Sequence, residues 1–164
     1  NTPAWGAVYE QYFQEIDKVK GQKGVLSVEK KLFVETNNGT NRQIRPVTPE
    51  QPLRIGDKVI VRLTIRTDRE MNYVFLKDLR AGCFEPADQL SGTESRDSIW
   101  YYRSPKDVSE NFFINRLPEG TFVLEYPVYV SRSGEYAGGI STIQCMYAPE
   151  FVSHTAGESL RIMP

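Results

Sequence analysis

The sequence predicts an all-β protein, an antiparallel β-sandwich with little helix. Tyrosine and phenylalanine, 9 and 8 residues, accompany many Val, Ile and Thr residues, and all of these types favour strands. Apolar residues recur at every second position in short runs, which follow one another about every ten residues. Twelve glycines and ten prolines, many of them between the runs, favour turns. Short strands joined by frequent turns are typical of sandwiches.

The first part of the chain differs from the rest. Residues Ala4–Gly24 combine aromatic side chains with a charged tail and a Gly/Lys linker, and they fit neither a regular strand nor a full helix. We assign residues 1–23 to the trailing segment of a preceding β domain and its linker, and residues 24–164 to the sandwich. No charged-then-apolar leader follows Asn1, so we expect a mature form or a piece of a longer chain.

The next segment is predicted to form strands joined by glycine turns. Val25–Thr36 alternates as a strand and runs into Asn-Asn-Gly-Thr-Asn, a turn sequence that begins a hairpin. Pro52–Asp68 contains the clearest strand, after a Gly-Asp turn. Its alternating apolar residues are Val59, Val61, Leu63 and Ile65. One face of this strand is expected to meet a core and the other mostly water.

The middle of the chain alternates aromatic strands with one long connection. Asn72–Leu79 is predicted to be a strand, and residues 80–98 have the Gly, Pro and Ser content of a long loop. Ile99–Ser104 and Val108–Leu117 are predicted to be two short aromatic strands. The single helical turn that we expect lies near Asp107–Asn111.

The last third continues the strand pattern. Apolar residues alternate from Phe122 to Val130, a Ser-Gly turn follows, and Ile140–Tyr147 is predicted to be the next strand. The closing segment, residues 158–164, is predicted to be the final strand. The sequence contains no internal repeat and no low-complexity tract.

Charge and hydropathy exclude some partners. The 20 Lys and Arg residues nearly balance the 21 Asp and Glu residues, so no global field attracts a polyanion, and we expect no nucleic-acid partner. No window approaches the roughly 18 consecutive apolar residues that span a bilayer. We therefore expect no direct insertion of this chain into a membrane.

The sequence lacks the residue patterns of an enzyme. A single histidine, His154, cannot form a multi-histidine metal site, and no nucleophile elbow, zincin helix or phosphate loop is present. Cys145 with His154 as its base is a weak alternative, since a cysteine within an alternating strand usually packs as a small apolar residue. Four carboxylates near strand ends are interpreted as solvated loop charge: Asp68, Glu70, Asp78 and Glu85. We predict no catalytic residues, no metal and no cofactor.

Two features of the side chains leave alternatives open. Cys83 and Cys145 are sixty-two positions apart and have no metal-type spacing, so they are either paired in a disulfide or separately buried. Consecutive aromatics, Trp100, Tyr101 and Tyr102, could form a platform for stacking sugars. Since neighbouring strand residues point to opposite faces, we expect one of the three to be exposed.

Several phrases of the sequence follow one another in a specific order. They are PAWGAVYEQYF (residues 3–13), LSVEKKLF (26–33), a long segment ending in DLRAGCFEP (53–86) and another ending in QCMYAPEF (117–151). Together they resemble the C-terminal domain of bacterial alpha-2-macroglobulin-like proteins, in the form found in Bacteroides-type bacteria. Arg80 stands where proline is common in that family, which removes a rigid corner.

The resemblance implies a macroglobulin-type sandwich within a large envelope protein that traps proteases. Such a parent is exported to the periplasm or the cell surface and is often lipid-anchored, and a thioester in its helical domain can capture the attacking protease. The thioester phrase Cys-x-Glu-Gln is missing from this chain. The resemblance therefore implies a non-catalytic module whose partners are other domains of the same parent, including the thioester-type helical domain, and which meets target proteases through the parent.

The closing phrase indicates where such docking would occur. We expect Met146, Tyr147, Pro149 and Phe151 to form an interdomain contact, because tyrosine combines a large apolar face with a polar rim and is enriched at interfaces. A free-standing adhesion or carbohydrate-binding sandwich is the alternative function.

Overall fold

The computed structural model describes residues 25–87, 91–96 and 99–164. All the regular elements in these ranges are β-strands, so the predicted all-β class is confirmed. No helix in this described part is long and apolar enough to cross a membrane. The predicted trailing segment, residues 1–23, lies outside the described residues.

The strands form three sheets. In chain order they are β1 (Leu26–Asn38), β2 (Asn41–Pro46), β3 (Leu53–Arg54), β4 (Lys58–Thr67), β5 (Met71–Leu79), β6 (Phe84–Pro86), β7 (Gly92–Arg96), β8 (Ile99–Pro105), β9 (Ser109–Leu117), β10 (Gly120–Val130), β11 (Gly134–Ala137), β12 (Ser141–Cys145), β13 (Ala148–His154) and β14 (Ser159–Met163). The five-stranded sheet has the order β2-β1-β4-β10-β6, and the six-stranded sheet has the order β13-β12-β5-β9-β8-β7. A small third sheet, β11-β14-β3, contains a parallel pair, β14 with β3.

The two larger sheets form a sandwich around one core. Phe112 of β9 and Tyr126 of β10 meet across it, with ring centroids 6.1 Å apart. The alternation predicted for β4 is confirmed, because Val59, Val61, Leu63 and Ile65 are all buried. Ile60, on the other face of β4, is also buried; its register neighbours are Phe33 and Pro127.

The hairpin predicted after the first strand is present. β1 and β2 pair antiparallel, and Asn38 stands opposite Asn41 at the end of the ladder. Gly39 in the intervening turn has φ +69°, a left-handed conformation that glycine adopts without steric cost.

Two local predictions are wrong. The segment expected to be one long loop contains two short strands: β6 pairs with β10, and β7 pairs with β8. Tertiary pairing overrides the turn-rich composition there, since strand preference depends strongly on cross-strand partners. The predicted helical turn near Asp107–Asn111 is instead a tight reversal, in which the Lys106 N–H donates to the Ser109 carbonyl at 2.8 Å.

Candidate functional site

The predicted contact residues cluster around a two-residue turn between β12 and β13. This turn consists of Met146 and Tyr147, whose side chains are 54% and 80% exposed. The Met146 N–H donates to the Tyr73 carbonyl at 2.8 Å, which fastens the turn to β5. The turn therefore presents two large side chains to solvent from an anchored backbone.

Tyr73 completes the aromatic tip of this turn. Its ring lies edge-on to the Tyr147 ring, with centroids 4.9 Å apart and planes at 84°. Its φ is +58°, a left-handed conformation that is uncommon for a residue with a bulky side chain. Half of the Tyr73 side chain is exposed, and with Phe113 it lines a depression of about 300 Å³ next to the turn.

The other two predicted contact residues lie on β13. Pro149 is exposed, whereas Phe151 is half-buried, packs against the core and lies under the Arg69 guanidinium, 5.1 Å from Cζ to the ring centroid. The β12–β13 register shifts between Gln144 and Cys145. Since β13 is an edge strand, the irregularity and the missing N–H of Pro149 reduce its capacity to pair with another strand.

Cys145 and His154 do not form a nucleophile–base pair. His154 stands opposite Thr142, three residues before Cys145 on β12. Cys145 is buried and its thiol donates to the Asn72 carbonyl at 3.4 Å, while Thr142 and His154 are on the less buried side. An odd separation along a strand places side chains on opposite faces, so the imidazole cannot reach the thiol.

The two cysteines are separate, buried thiols. Neither is bonded to the other in the structure, which corresponds to the second of the two alternatives left by the sequence. Burial raises the pKa of the Cys83 thiol from 9.0 to about 11. A thiol with such a pKa is a poor nucleophile at neutral pH, because the thiolate is the reactive form.

Asp78 is the hub of a buried polar network that sequence reasoning missed. Its carboxylate accepts hydrogen bonds from Lys30 Nζ at 2.8 Å, from the Ser141 hydroxyl at 2.6 Å and from the Tyr126 hydroxyl. Asp78 is fully buried, so its interpretation as solvated loop charge is wrong. The sequence did contain one indication that Asp78 is buried. Val74 and Leu76 are alternating inward positions of β5, and Asp78 is the next inward position.

The pKa of the Tyr126 hydroxyl shows how strongly the buried network perturbs an ionisable group within it. Burial and the adjacent Asp78 carboxylate both raise the pKa of the Tyr126 hydroxyl well above its usual value. The phenol therefore stays protonated and donates its hydrogen bond. The network joins β1, β5, β10 and β12, and so links both sheets of the sandwich.

A second buried cluster lies next to the first. Glu110 is bracketed by Arg80 Nη1 at 2.9 Å and by Arg103 Nε. Arg80 also donates from Nη1 to the Ser109 carbonyl at 3.0 Å, so its guanidinium holds this corner, where the resemblance leads one to expect a proline. Burial raises the pKa of Glu110, although the two guanidinium groups act in the opposite direction.

Gly139 lets the chain approach this corner closely. It has φ +72°, and a Cβ at its position would stand 2.1 Å from the Leu79 carbonyl oxygen. Lys30 Nζ donates to the carbonyls of Leu79 and Gly138 at 3.1 and 3.2 Å, which ties the glycine segment to β5. The phrase Asp-Leu-Arg-Ala-Gly, singled out in the sequence, is therefore part of a structural corner.

A cleft of about 360 Å³ lies beside β1, lined by residues 28–32, 138–139 and 154–156 together with Glu158 and Leu160. Its charges have both signs, and the Lys30 ammonium is committed to Asp78. Among the described residues, no three His, Cys, Asp or Glu side chains are placed to hold a metal ion. The cleft therefore offers no convergent set of catalytic groups.

The aromatic run on β8 is more exposed than expected. Trp100 and Tyr102 are 67% and 45% exposed, whereas Tyr101 is buried and stacks edge-on against Phe112. The expectation that one of the three is exposed is wrong, because the strand points both even-numbered residues outward and the odd-numbered one into the core.

These features define a β-sandwich module whose buried charged groups pair with one another in the interior and whose most exposed aromatic residue, among those described, lies on a surface turn. Residues 26–150 match the family model of the bacterial alpha-2-macroglobulin MG10 domain. The chain therefore belongs to that family, and the resemblance predicted from the sequence is confirmed.

Solved structures show the same fold. Salmonella alpha-2-macroglobulin reacted with methylamine is 21% identical, with a TM-score of 0.69 over 90% of this chain and 10% of that chain. Escherichia coli alpha-2-macroglobulin, from domain MG7 to the C-terminus, is 17% identical, with a TM-score of 0.67 over 88% of this chain and 24% of that chain. At these identities the likeness concerns the fold.

A curated protein of Dictyostelium discoideum, "Circularly permutated Ras protein 2", is 29% identical over 113 residues. The match covers 66% of this chain and 3% of that protein. This chain thus spans a small part of each of these relatives.

Proposed function

We propose that this chain is a non-catalytic domain of a larger alpha-2-macroglobulin-like protein that traps or inhibits proteases, and that it acts by docking on other domains of its parent. The observation that carries the proposal is the turn of Met146 and Tyr147. A tyrosine that is 80% exposed in the domain alone has a large apolar surface available for a partner.

Several details of the turn support a docking role. Its backbone is fastened to β5 and the Tyr73 ring contacts the Tyr147 ring edge-on, and both contacts reduce the conformational entropy that is lost on binding. Pro149 lies exposed beyond the turn, and Phe151 is half-buried and packs against the core. We propose that these four residues, Met146, Tyr147, Pro149 and Phe151, belong to the interdomain contact.

The domain division and the location are part of the same proposal. Residues 1–23 would belong to the preceding β domain and its linker, and residues 24–164 would form the C-terminal sandwich. We place the parent in the periplasm or at the cell surface, where target proteases are met. The docked neighbours would include a thioester-type helical domain, which the tyrosine contact would keep shielded from water until the parent is cleaved.

The test uses Tyr147→Ala in the full-length parent. We expect the variant to adopt the protease-converted form without protease, measured as a shift in mobility on native gels, because the contact that restrains the domains is lost. Tyr129→Ala is the matched control: Tyr129 is exposed on β10 of the opposite sheet and should leave mobility unchanged. A Tyr147→Ala parent that behaves like the unmodified one, before and after protease, contradicts the proposal.

A further inference from the structure

The exposed apolar side chains of this domain are concentrated on one face. Ten large hydrophobic residues in the described part of the chain are exposed, and six of them lie on the outer side of the six-stranded sheet or on its turn. These six are Tyr73, Trp100, Tyr102, Phe113, Met146 and Tyr147. Contiguous exposed apolar surface of this kind marks interaction sites in soluble proteins.

The strand register places the centre of this face in a single row. Gln144, Phe75, Phe113, Tyr102 and Thr93 stand opposite one another on β12, β5, β9, β8 and β7. Four inter-strand steps of about 4.8 Å give the row a width of about 19 Å. The three aromatic residues occupy the middle and two uncharged polar residues end the row, so the row carries no charge.

Ring contacts connect the row into one surface. The Phe113 centroid lies 4.8 Å from that of Phe75 and 6.4 Å from that of Tyr102, with planes tilted by 31° and 46°. A flat sugar-binding platform needs rings close to one plane, whereas tilted rings with gaps between them suit interdigitation with protein side chains.

The backbone supports the same interpretation. Tyr73 lies on the same face of β5 as Phe75 and holds a left-handed φ of +58°, with its ring against that of Tyr147. Backbone strain of this kind persists where the surrounding structure enforces it, and it is concentrated at functional sites.

We infer that the outer face centred on Phe75, Phe113 and Tyr102, and extended by Trp100, is a second docking surface, continuous with the turn and occupied by another domain of the same parent. The inference rests on the proposed function and extends it from the turn to the whole sheet face. Opposite the row, the partner surface would be apolar, because the row offers no charged group to pair with.

The choice of occupant follows from the size of the relatives. In the solved alpha-2-macroglobulins the matched region is 10% to 24% of the chain, so such a domain has covalently linked neighbours. A linked neighbour is held at a high effective concentration and can occupy a face that binds weakly as a free surface. Contacts between domains of one chain bury about 600–1,500 Å².

The test is hydroxyl-radical footprinting of the full-length parent, read at single residues by mass spectrometry and compared with chain 1–164. We expect modification of Trp100, Tyr102 and Phe113 to fall about fivefold in the parent, because the centre of an interface excludes water. Tyr129 is the matched control, since it is 44% exposed against 45% for Tyr102 and lies on the other sheet. Equal modification of the three face residues in parent and chain overturns the inference.

The pattern of protection separates this inference from the proposed function. Protection of Tyr147 without the three face residues overturns the inference and leaves the turn contact standing. Protection of the three without Tyr147 supports the second surface and contradicts the contact at the turn. Protection that appears in the isolated chain as its concentration rises assigns the face to a second copy, and protection by added maltohexaose or cellohexaose assigns it to a glycan; either result overturns the inference.

Discussion

The interior corner around Asp78 and the outer face around Phe113 reverse the usual distribution of side chains. Asp78, Glu110 and Arg80 are charged and buried, whereas Trp100 and Tyr147 are apolar and exposed. Buried charges are tolerated when partners satisfy them, and exposed aromatic surface is tolerated when it serves a contact. The two regions therefore differ in their partners: the corner is satisfied by its own chain, and we propose that the face is covered by another domain.

Stability and docking therefore depend on different residues of the same sandwich. Each polar group of the corner contacts a strand distant in sequence, so the corner fixes the relative positions of the sheets. Removing a face residue costs the folded domain little, because its side chain already contacts water. We expect substitutions in the corner to lower the free energy of unfolding and substitutions on the face to change docking.

The largest effect is expected for Asp78→Ala. The substitution leaves the Tyr126 and Ser141 hydroxyls without their acceptor in a buried site, and it leaves the Lys30 ammonium without its counter-charge, with only two backbone carbonyls to accept from it. Breaking a buried ion pair by removing one partner costs about 3–5 kcal/mol. Urea unfolding followed by circular dichroism measures the loss.

Two variants show whether the cost comes from the buried charge. Asp68→Asn is the matched surface control: Asp68 pairs with Arg69 in solvent, where water screens the interaction, so we expect almost no change in the free energy of unfolding. The double variant Lys30→Met/Asp78→Leu removes both charges and should recover much of the stability lost in Asp78→Ala. If Asp78→Ala is no more destabilising than Asp68→Asn, the corner is not a stabilising hub.

A large effect is also expected for Gly139→Ala, by comparison with Gly39→Ala. Both glycines have nearly the same φ, +72° and +69°. A Cβ at Gly39 meets nothing within 4 Å, whereas at Gly139 it would stand 2.1 Å from the Leu79 carbonyl oxygen. The left-handed conformation alone costs about 1–2 kcal/mol, and overpacking adds about 1–3 kcal/mol at Gly139. Equal losses of unfolding free energy in the two variants would show that the corner yields to the added methyl group.

The corner also shows how far sequence reasoning reaches. Alternation predicted β4, β5 and β10, because one face of each strand meets the core and period 2 is a local property. It did not identify Asp78 as buried, since its partners Lys30, Tyr126 and Ser141 are 48 to 63 positions away. Such contacts depend on the pairing of distant strands, which composition does not encode.

The outer face shows the same limit of prediction from sequence. The phrase containing Met146, Tyr147 and Pro149 led to three residues that the structure leaves exposed, whereas nothing in the sequence pattern singles out Phe75 or Phe113. They become neighbours only through the β5–β9 ladder, and the exposure of Phe113 follows from the absence of a covering element among the described residues. The long segment 80–98 was misjudged for a similar reason, because its strands form against β10 and β8.

The interior should also protect Cys83 from reagents. With its pKa raised from 9.0 to about 11, the folded thiol at pH 8 carries about a hundredth of the thiolate of an unfolded one, so alkylation by iodoacetamide should be at least ~100-fold slower than in urea. The native rate should keep rising with pH from 9 towards about 11. Mass spectrometry of the Cys83 peptide measures this, and a plateau near pH 9 would contradict the burial argument.

The same shift predicts a stability change at high pH. The unfolded thiol ionises near pH 9 and the folded thiol near pH 11, so the contribution of Cys83 is fully present below about pH 9 and is lost as the pH rises towards about 11. The fall in unfolding free energy across this range should therefore be smaller in Cys83→Ala than in the unmodified chain.

The smallest effect concerns the face itself, in a comparison of Tyr73→Gly with Tyr102→Gly. Both tyrosines are about half exposed on the outer face, and each contacts one aromatic neighbour, Tyr147 or Phe113. Glycine within an ordinary strand loses conformational entropy and costs about 0.5–1 kcal/mol, which we expect in full at Tyr102. At Tyr73 the left-handed φ of +58° favours glycine and offsets that loss.

We therefore expect Tyr73→Gly to be less destabilising than Tyr102→Gly by about 1 kcal/mol, measured by urea unfolding of the two variants side by side. A difference of this sign means that the native Tyr73 is held in its conformation at a cost to the stability of the domain, as expected for a residue retained for contact with a partner. Equal losses in the two variants would show that the Tyr73 backbone is unstrained, and the outer face would then lose the conformational argument for its role in docking.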